Sequence, residues 1–206
     1  MFGTASKFLA SPIGKVSTYV GLFMGGNVGA QKIEQYRDHK RWDLPLCKED
    51  LKFTAGWSAV IGGPMVYKWY TYIDSPTGFK KSWLGSKMAK LGPIAGTVKL
   101  PAGLIVGKVI VDLLFDIPLY GSYLYTKNLY ANQDKAPLTH PQSYIAPFNQ
   151  QFLNQSVEVY KKDLYFWTPA NVIGFMFVAD KYRIPYVSMA TAAWACALPI
   201  VCKDKH

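Results

Sequence analysis

The chain is poor in charge, in arginine, and in the residues that build metal and redox centres. Only 17% of its 206 residues are charged, whereas a soluble surface usually carries about a quarter to a third. The charges crowd into a few segments and leave long uncharged stretches between them, while half of the residues are apolar and 15% aromatic. That balance points to lipid as part of the solvent, with the near-zero mean hydropathy implying short spans and polar loops. Three cysteines, Cys47, Cys196 and Cys202, form neither a C-x-x-C pair nor an even framework, so a disulfide scaffold is excluded and they read as reduced packing residues. The histidines, His39, His140 and His206, are far apart in polar stretches, and no metal site or cofactor is expected.

Other absences narrow the function. There is no nucleophile elbow, no phosphate-cradling glycine loop ending in Lys and Ser or Thr, and no secretory signal pattern, so neither an enzyme nor a secreted protein is expected. Asp112 and Asp116, four apart on one helix face, leave a proton-handling pair as the one chemical exception. No acidic residue precedes Glu34, and Lys7, Lys15, Ser6, Ser11 and Ser17 give the start the character of a mitochondrial targeting segment without its arginines. Met1 is read as an uncleaved start. The net charge is +10, but 20 of the 23 basic residues are lysine. Nucleic-acid readers rely on arginine forks, so no nucleic-acid partner is expected. The densest basic run contains Lys80, Lys81, Lys87 and Lys90 and suits an anionic lipid surface such as one rich in cardiolipin.

The apolar runs predict an all-α integral membrane bundle in a single domain, with spans at about 12–30, 53–73, 109–127 and 184–201. In the first, Ser17, Gly21, Gly25 and Gly29 recur every four residues and place small side chains on one face for helix contact. Residues 91–111, broken by Pro93, Lys99, Pro101 and Lys108, read as a re-entrant or surface-lying piece. Residues 150–166 read as an amphipathic surface helix, with Leu153, Val157, Tyr160, Leu164 and Trp167 on its apolar face and Lys161, Lys162 and Asp163 largely off it. The apolar stretch 167–178 is too short to cross a bilayer. The basic residues are balanced between the two sides, so the positive-inside rule leaves orientation open.

Specific residues then resemble a family. Gly63, Pro64, Trp69, Tyr70 and Asp74 give G-P-x-x-x-x-W-Y-x-x-x-D, similar to the second-span signature of the 22-kilodalton peroxisomal membrane protein and its Mpv-seventeen relatives of the mitochondrial inner membrane. Gly26, Asn27 and Gln31 match its first-span G-D-x-x-x-Q with Asn in place of Asp, and Lys108, Asp112 and Pro118 match K-x-x-x-D-Q-x-x-x-x-P with Leu113 in place of Gln. Trp167, Phe175, Val178, Arg183 and Trp194 fall on the C-terminal signature without a gap, and an apparent insertion lies at 92–107. The resemblance implies a four-span fold, no known catalytic activity and a channel-like role in an organelle membrane, mitochondrial or peroxisomal.

Departures from the family pattern shift that expectation. Polar positions are replaced by Asn27, Leu113, Asn171, Gly174 and Ala195, and Thr168 and Ala179 stand where the family has proline. Buried polar groups in a bilayer cost free energy and are kept for function, so their loss implies a scaffold retained while transport weakened. The expected role is thus an accessory subunit of a large inner-membrane complex such as a respiratory-chain complex, contacting other subunits and anionic lipid. The alternative is a pore for small solutes with Asn27, Gln31, Asn171 and Arg183 as remaining lining. Arg183 has two readings: a buried counter-charge for Asp112, Asp116 or Asp180, or, as the preferred one, an interfacial arginine that snorkels.

Overall fold

The computed structural model describes Phe8 and residues 11–75, 77–91, 102–131 and 150–201, and within these it is all-helical. Helix α1 (Pro12–His39) starts at Ser11, whose hydroxyl accepts the Gly14 N–H at 3.0 Å, with Pro12 supplying the pre-set φ of a first turn. It stops at Lys40, a left-handed residue (φ 56°) whose N–H bonds back to Tyr36 O. Helices α2 (Lys48–Trp57) and α3 (Gly63–Asp74) form one rod joined by a π turn over Ser58–Gly62. Pro64 lacks the N–H that a regular ladder would need there, and such a wide turn accommodates its absence. Gly62 leaves room for the Trp57 ring to lie back on the turn.

A 3-10 turn (Phe79–Lys81), the short α4 (Trp83–Met88) capped by Ser82, and a second 3-10 turn (Ala89–Leu91) lead towards α5 (Ala102–Ala131). Helix α6 (Gln150–Phe177) and α7 (Asp180–Val201) complete the bundle. The region read as a surface-lying piece lies partly outside the described residues, but from Ala102 to Val111 it forms the opening turns of α5. Likewise, the amphipathic 150–166 stretch and the short 167–178 stretch are one continuous 28-residue helix. Pro169 did not divide them because its ring needs only one backbone bond forgone.

The apolar core is built from Tyr19 of α1, Val66, Tyr70 and Ile73 of α3, Leu104, Ile105 and Val109 of α5, Phe175 of α6, and Ile184 and Val187 of α7, with Phe79 beneath. The most extensive helix pairing is α1 against α7, followed by α5 against α6. Of the small residues that make the first pairing close, Gly29 belongs to the four-residue series and Gly26 does not. Gly26 is buried, and a Cβ there would sit 2.8 Å from Ala192 Cα and 3.0 Å from Ala195 Cβ. Gly21 and Gly25 face open space, while Gly29 meets Cys196 Sγ. Adjacent helical residues are about 100° apart, so α7 lies along the line of Gly26 and Gly29. Gly63 backs α3 onto Val16 of α1.

Among the described residues no helix is long and apolar enough to cross a membrane. Length is not the limit, since α1, α5 and α6 each run about 40 Å at 1.5 Å per residue. Charged residues interrupt their apolar runs, and on α5 they are confined to one face. Lys108 and Asp112 are buried against the bundle, while Val106, Ile110, Leu114 and Ile117 on the opposite face are each about half exposed.

Candidate functional site

Three polar constellations are built from residues far apart in sequence. The first ties α3, α5 and α7 at one end of the bundle. Asp74 closes α3 and accepts from Lys108 Nζ at 2.9 Å and from Arg183 Nη1, whose side chain is 3% exposed. Arg183 also reaches Asp180 at 3.1 Å and donates to the Val178 carbonyl at 2.8 Å and the Gly174 carbonyl at 3.3 Å. Both cations lie over the Phe175 ring, Arg183 at 4.9 Å and Lys108 at 5.4 Å. The preferred interfacial reading of Arg183 is therefore corrected. It is a buried counter-charge, and its main partner, Asp74, was not among the three considered. A carboxylate at the end of one helix and a guanidinium at the start of another meet only through the tertiary arrangement.

One turn deeper, Asp112 is 3% exposed and accepts from Trp69 Nε1 at 2.6 Å and from Tyr70 OH at 2.8 Å. Trp69 stacks on Phe115 at 4.4 Å. Thus the W-Y pair of the second signature and the Asp of the third are a single unit. The Trp69 ring is half-buried and donates to Asp112.

The third constellation lies at the other end. Asp50 of α2 accepts from Asn27 Nδ2 at 2.7 Å and Gln31 Nε2 at 3.3 Å, both on α1, and pairs with Lys127 of α5 at 2.7 Å. Gln31 also accepts the Cys47 N–H at 2.7 Å, and Asn27 reaches Thr54 Oγ1 at 3.1 Å. Burial pushes the Asp50 carboxyl up, but the hydrogen bonds from Lys127, Asn27 and Gln31 outweigh it and hold it below its ordinary 3.8. A carboxylate depressed in the folded state stabilises the fold fully above its unfolded value and loses that contribution as the pH falls through the folded value. The expected result is that Asp50→Asn lowers the thermal midpoint at neutral pH, and that its gap to the native chain shrinks steadily once the pH drops below the ordinary carboxylate range. Circular dichroism melts at stepped pH check this, and a gap independent of pH overturns it.

Between the ends runs a cavity of about 420 Å³. Tyr19, Phe23, Asn27, Gln31 and Glu34 line it from α1, and Asp112, Asp116, Tyr123 and Lys127 from α5. Each series spans fifteen residues, or about 22 Å of helix. Phe23, Trp57 and Tyr123 meet in its middle at centroid distances of 5.0 to 6.0 Å. The lining holds five acidic and two basic side chains, the reverse of the whole-chain balance. Asp163 of α6, 6% exposed, is one of them, so it is not on the outer face of a surface helix as its sequence neighbours suggested. The signal was present: Asp163 lies three residues after Tyr160 and four before Trp167, on the same helical face. Asp50, Trp57 and Tyr123 carried no such signal.

Trp167 and Trp194 of the C-terminal signature line the same cavity, and Trp194 stacks on Phe166 at 5.0 Å. Asn171 is buried beside the core with its Nδ2 unpartnered, outside the cavity lining. Pro118 lies within α5 and is exposed. Lys80, Lys81, Lys87 and Lys90 are all exposed around α4, where Trp83 is also exposed. Among the described residues no group of three or more His, Cys, Asp or Glu side chains is placed to hold a metal ion.

A helical bundle with polar residues turned onto an internal cavity and large apolar residues turned outward defines the class. The Mpv17 / PMP22 family pattern matches residues 147–199, which cover α6 and most of α7, and this is consistent with a member of that family. No solved structure matches the chain.

Proposed function

We propose that the chain is a non-enzymatic, multi-span protein of an organelle membrane whose central cavity admits small polar solutes. The observation that carries this reading is the inverted polarity of the bundle: Lys108, Asp112, Asp163, Asn171 and Arg183 are buried, whereas Ile13, Val60, Leu114, Phe177, Met189 and Ile200 are exposed. In water that arrangement exposes apolar area at about 25 cal/mol per Å² and desolvates charge without need, whereas in lipid both faces are matched to their surroundings. On α5 the charges that keep the helix from reading as an apolar cylinder, Lys108, Asp112 and Asp116, face inward. On this reading the spans stay near 12–30, 53–73, 109–127 and 184–201, and the exposed Lys80, Lys81, Lys87 and Lys90 with Trp83 meet anionic headgroups at one interface. The inner mitochondrial membrane is the proposed site, on the acid-free N-terminal stretch.

The erosion of family polar positions counts against transport less than the cavity counts for it, because Asn27, Gln31, Asp50 and Lys127 still form a bonded polar mouth. The test is reconstitution into liposomes. The protein should resist alkaline carbonate extraction and release small trapped solutes, and Leu124→Trp, which fills the cavity, should slow release severalfold. Extraction by carbonate, or equal release from both proteins, overturns the reading.

The accessory-subunit reading rests on a different observation. The open small-residue surface of Gly21 and Gly25 on α1 has no neighbour within 4 Å and offers another helix a close approach. It predicts co-migration with a large complex on native gels. Migration alone or as a small homo-oligomer removes it.

A further inference from the structure

We propose, resting on the membrane-cavity reading above, that the Asp116 and Asp163 end of the cavity binds a small organic ammonium ion carrying an acceptor oxygen, an amino alcohol. Three features of the site converge on that chemistry.

First, the charge at this end is uncompensated. Asp112 is satisfied by Trp69 and Tyr70, but Asp116 forms no hydrogen bond or ion pair with any described residue, and the groups acting on it electrostatically are the carboxylates of Asp112 and Asp163. Asp163 Oδ1 is buried and unpartnered. Carboxylates gathered in a water-poor site attract a cation more strongly than they do in bulk water. Second, the spacing and surroundings select the kind of cation. These carboxylates do not close into a metal-holding group, and the aromatic rings of Tyr19, Phe115 and Trp167 line the same cavity. An alkylated ammonium gains from aromatic faces what a hydrated metal ion does not. Third, the site holds buried indole donors that close no hydrogen bond. Trp194 is buried, its indole N–H approaches the Asp163 carboxyl without closing a hydrogen bond, and Trp57 Nε1 further along the cavity is also buried and unpartnered. Buried indole N–H groups usually find a partner. An oxygen two carbons from the ammonium centre fits the Trp194 donor while the charge rests between Asp116 and Asp163.

The ammonium can come from a free amino alcohol or from the headgroup of an amine-bearing lipid. The experiment uses the full chain in neutral maltoside micelles and isothermal titration with choline. Tetramethylammonium, which lacks the oxygen, magnesium and acetate serve as comparisons. Choline is expected to bind, with magnesium and acetate not binding measurably, and Asp116→Asn combined with Asp163→Asn weakens it at least about tenfold. Trp194→Phe keeps the ring, and it should weaken choline while leaving tetramethylammonium unchanged. Unaltered melting of each variant shows that the fold is intact. Adding phosphatidylethanolamine to the micelles separates the sources: competition with choline assigns the site to a lipid headgroup, and no competition assigns it to the free amino alcohol. Absent choline binding, equal binding of magnesium or acetate, or unchanged affinity in the double aspartate variant overturns the proposal. The liposome release assay distinguishes the two failures. Release that persists without choline binding removes this site alone, and loss of carbonate resistance removes the membrane reading beneath it.

Discussion

Replacing Arg183 by leucine is expected to cost the fold about 3–5 kcal/mol, the range seen when one partner of a buried ion pair is removed and the other is left uncompensated. Arg183 is buried, it meets Asp74 and Asp180, and it also donates to the carbonyls of Gly174 and Val178 at the α6 to α7 junction. Among the described residues leucine leaves Lys108 as the only cation on Asp74; it frees the Val178 carbonyl and leaves the Gly174 carbonyl with the Val178 N–H at 3.3 Å. Chemical unfolding in micelles gives the measurement. Arg183→Lys should recover only part of the loss, since an ammonium keeps the charge but cannot fork between a carboxylate and two carbonyls. A leucine variant as stable as the native chain would show that this junction is held by packing alone.

The second large effect falls on Gly26. A side chain there must enter the space of Ala192 and Ala195, and the nearest obstacle is backbone of α7, which cannot rotate away. Gly26→Leu is therefore expected to separate α1 from α7 at a cost of about 1–3 kcal/mol or more, as overpacking of a filled interface does. Gly25→Leu, one residue earlier, meets open space and should leave stability nearly unchanged. Cys196 provides a second readout, because its Sγ sits against Gly29 and lies 3.7 Å from the Gly26 carbonyl. Its labelling by a maleimide, located by mass spectrometry, should accelerate in Gly26→Leu and not in Gly25→Leu. Equal labelling in both would place the α1 contact on the other face.

These two positions show where reading the residues in order reached its limit. Within the four-residue recurrence of Ser17, Gly21, Gly25 and Gly29, Gly29 meets Cys196 of α7 while Gly21 and Gly25 face open space, and the closest approach falls on Gly26, outside the series. Period alone gives the angular position of a stripe on its own helix, not the direction from which a neighbour approaches. Similarly, Arg183 looked ordinary beside Tyr182 and Pro185, because nothing local marks burial. Its partner Asp74 is 109 residues away. Asp163 stands beside Lys161 and Lys162 in sequence, yet it is buried while Lys161 is exposed and Lys162 half-buried.

What the sequence determined by itself was helical content, while the signature residues Trp69, Tyr70, Asp74, Asp112 and Arg183 came as a set from the family resemblance. Helical content follows from apolar runs and their periodicity, which are properties of the chain before it folds. Only the tertiary structure decided that Trp69 and Tyr70 hold Asp112, that Asp74 joins Lys108 to Arg183, and that Asp116 and Asp163 share a cavity with unpartnered indoles. The physical reason is that a buried charge gains or loses according to what lies within a few ångströms of it, and helices brought side by side set those distances where spacing along the chain does not.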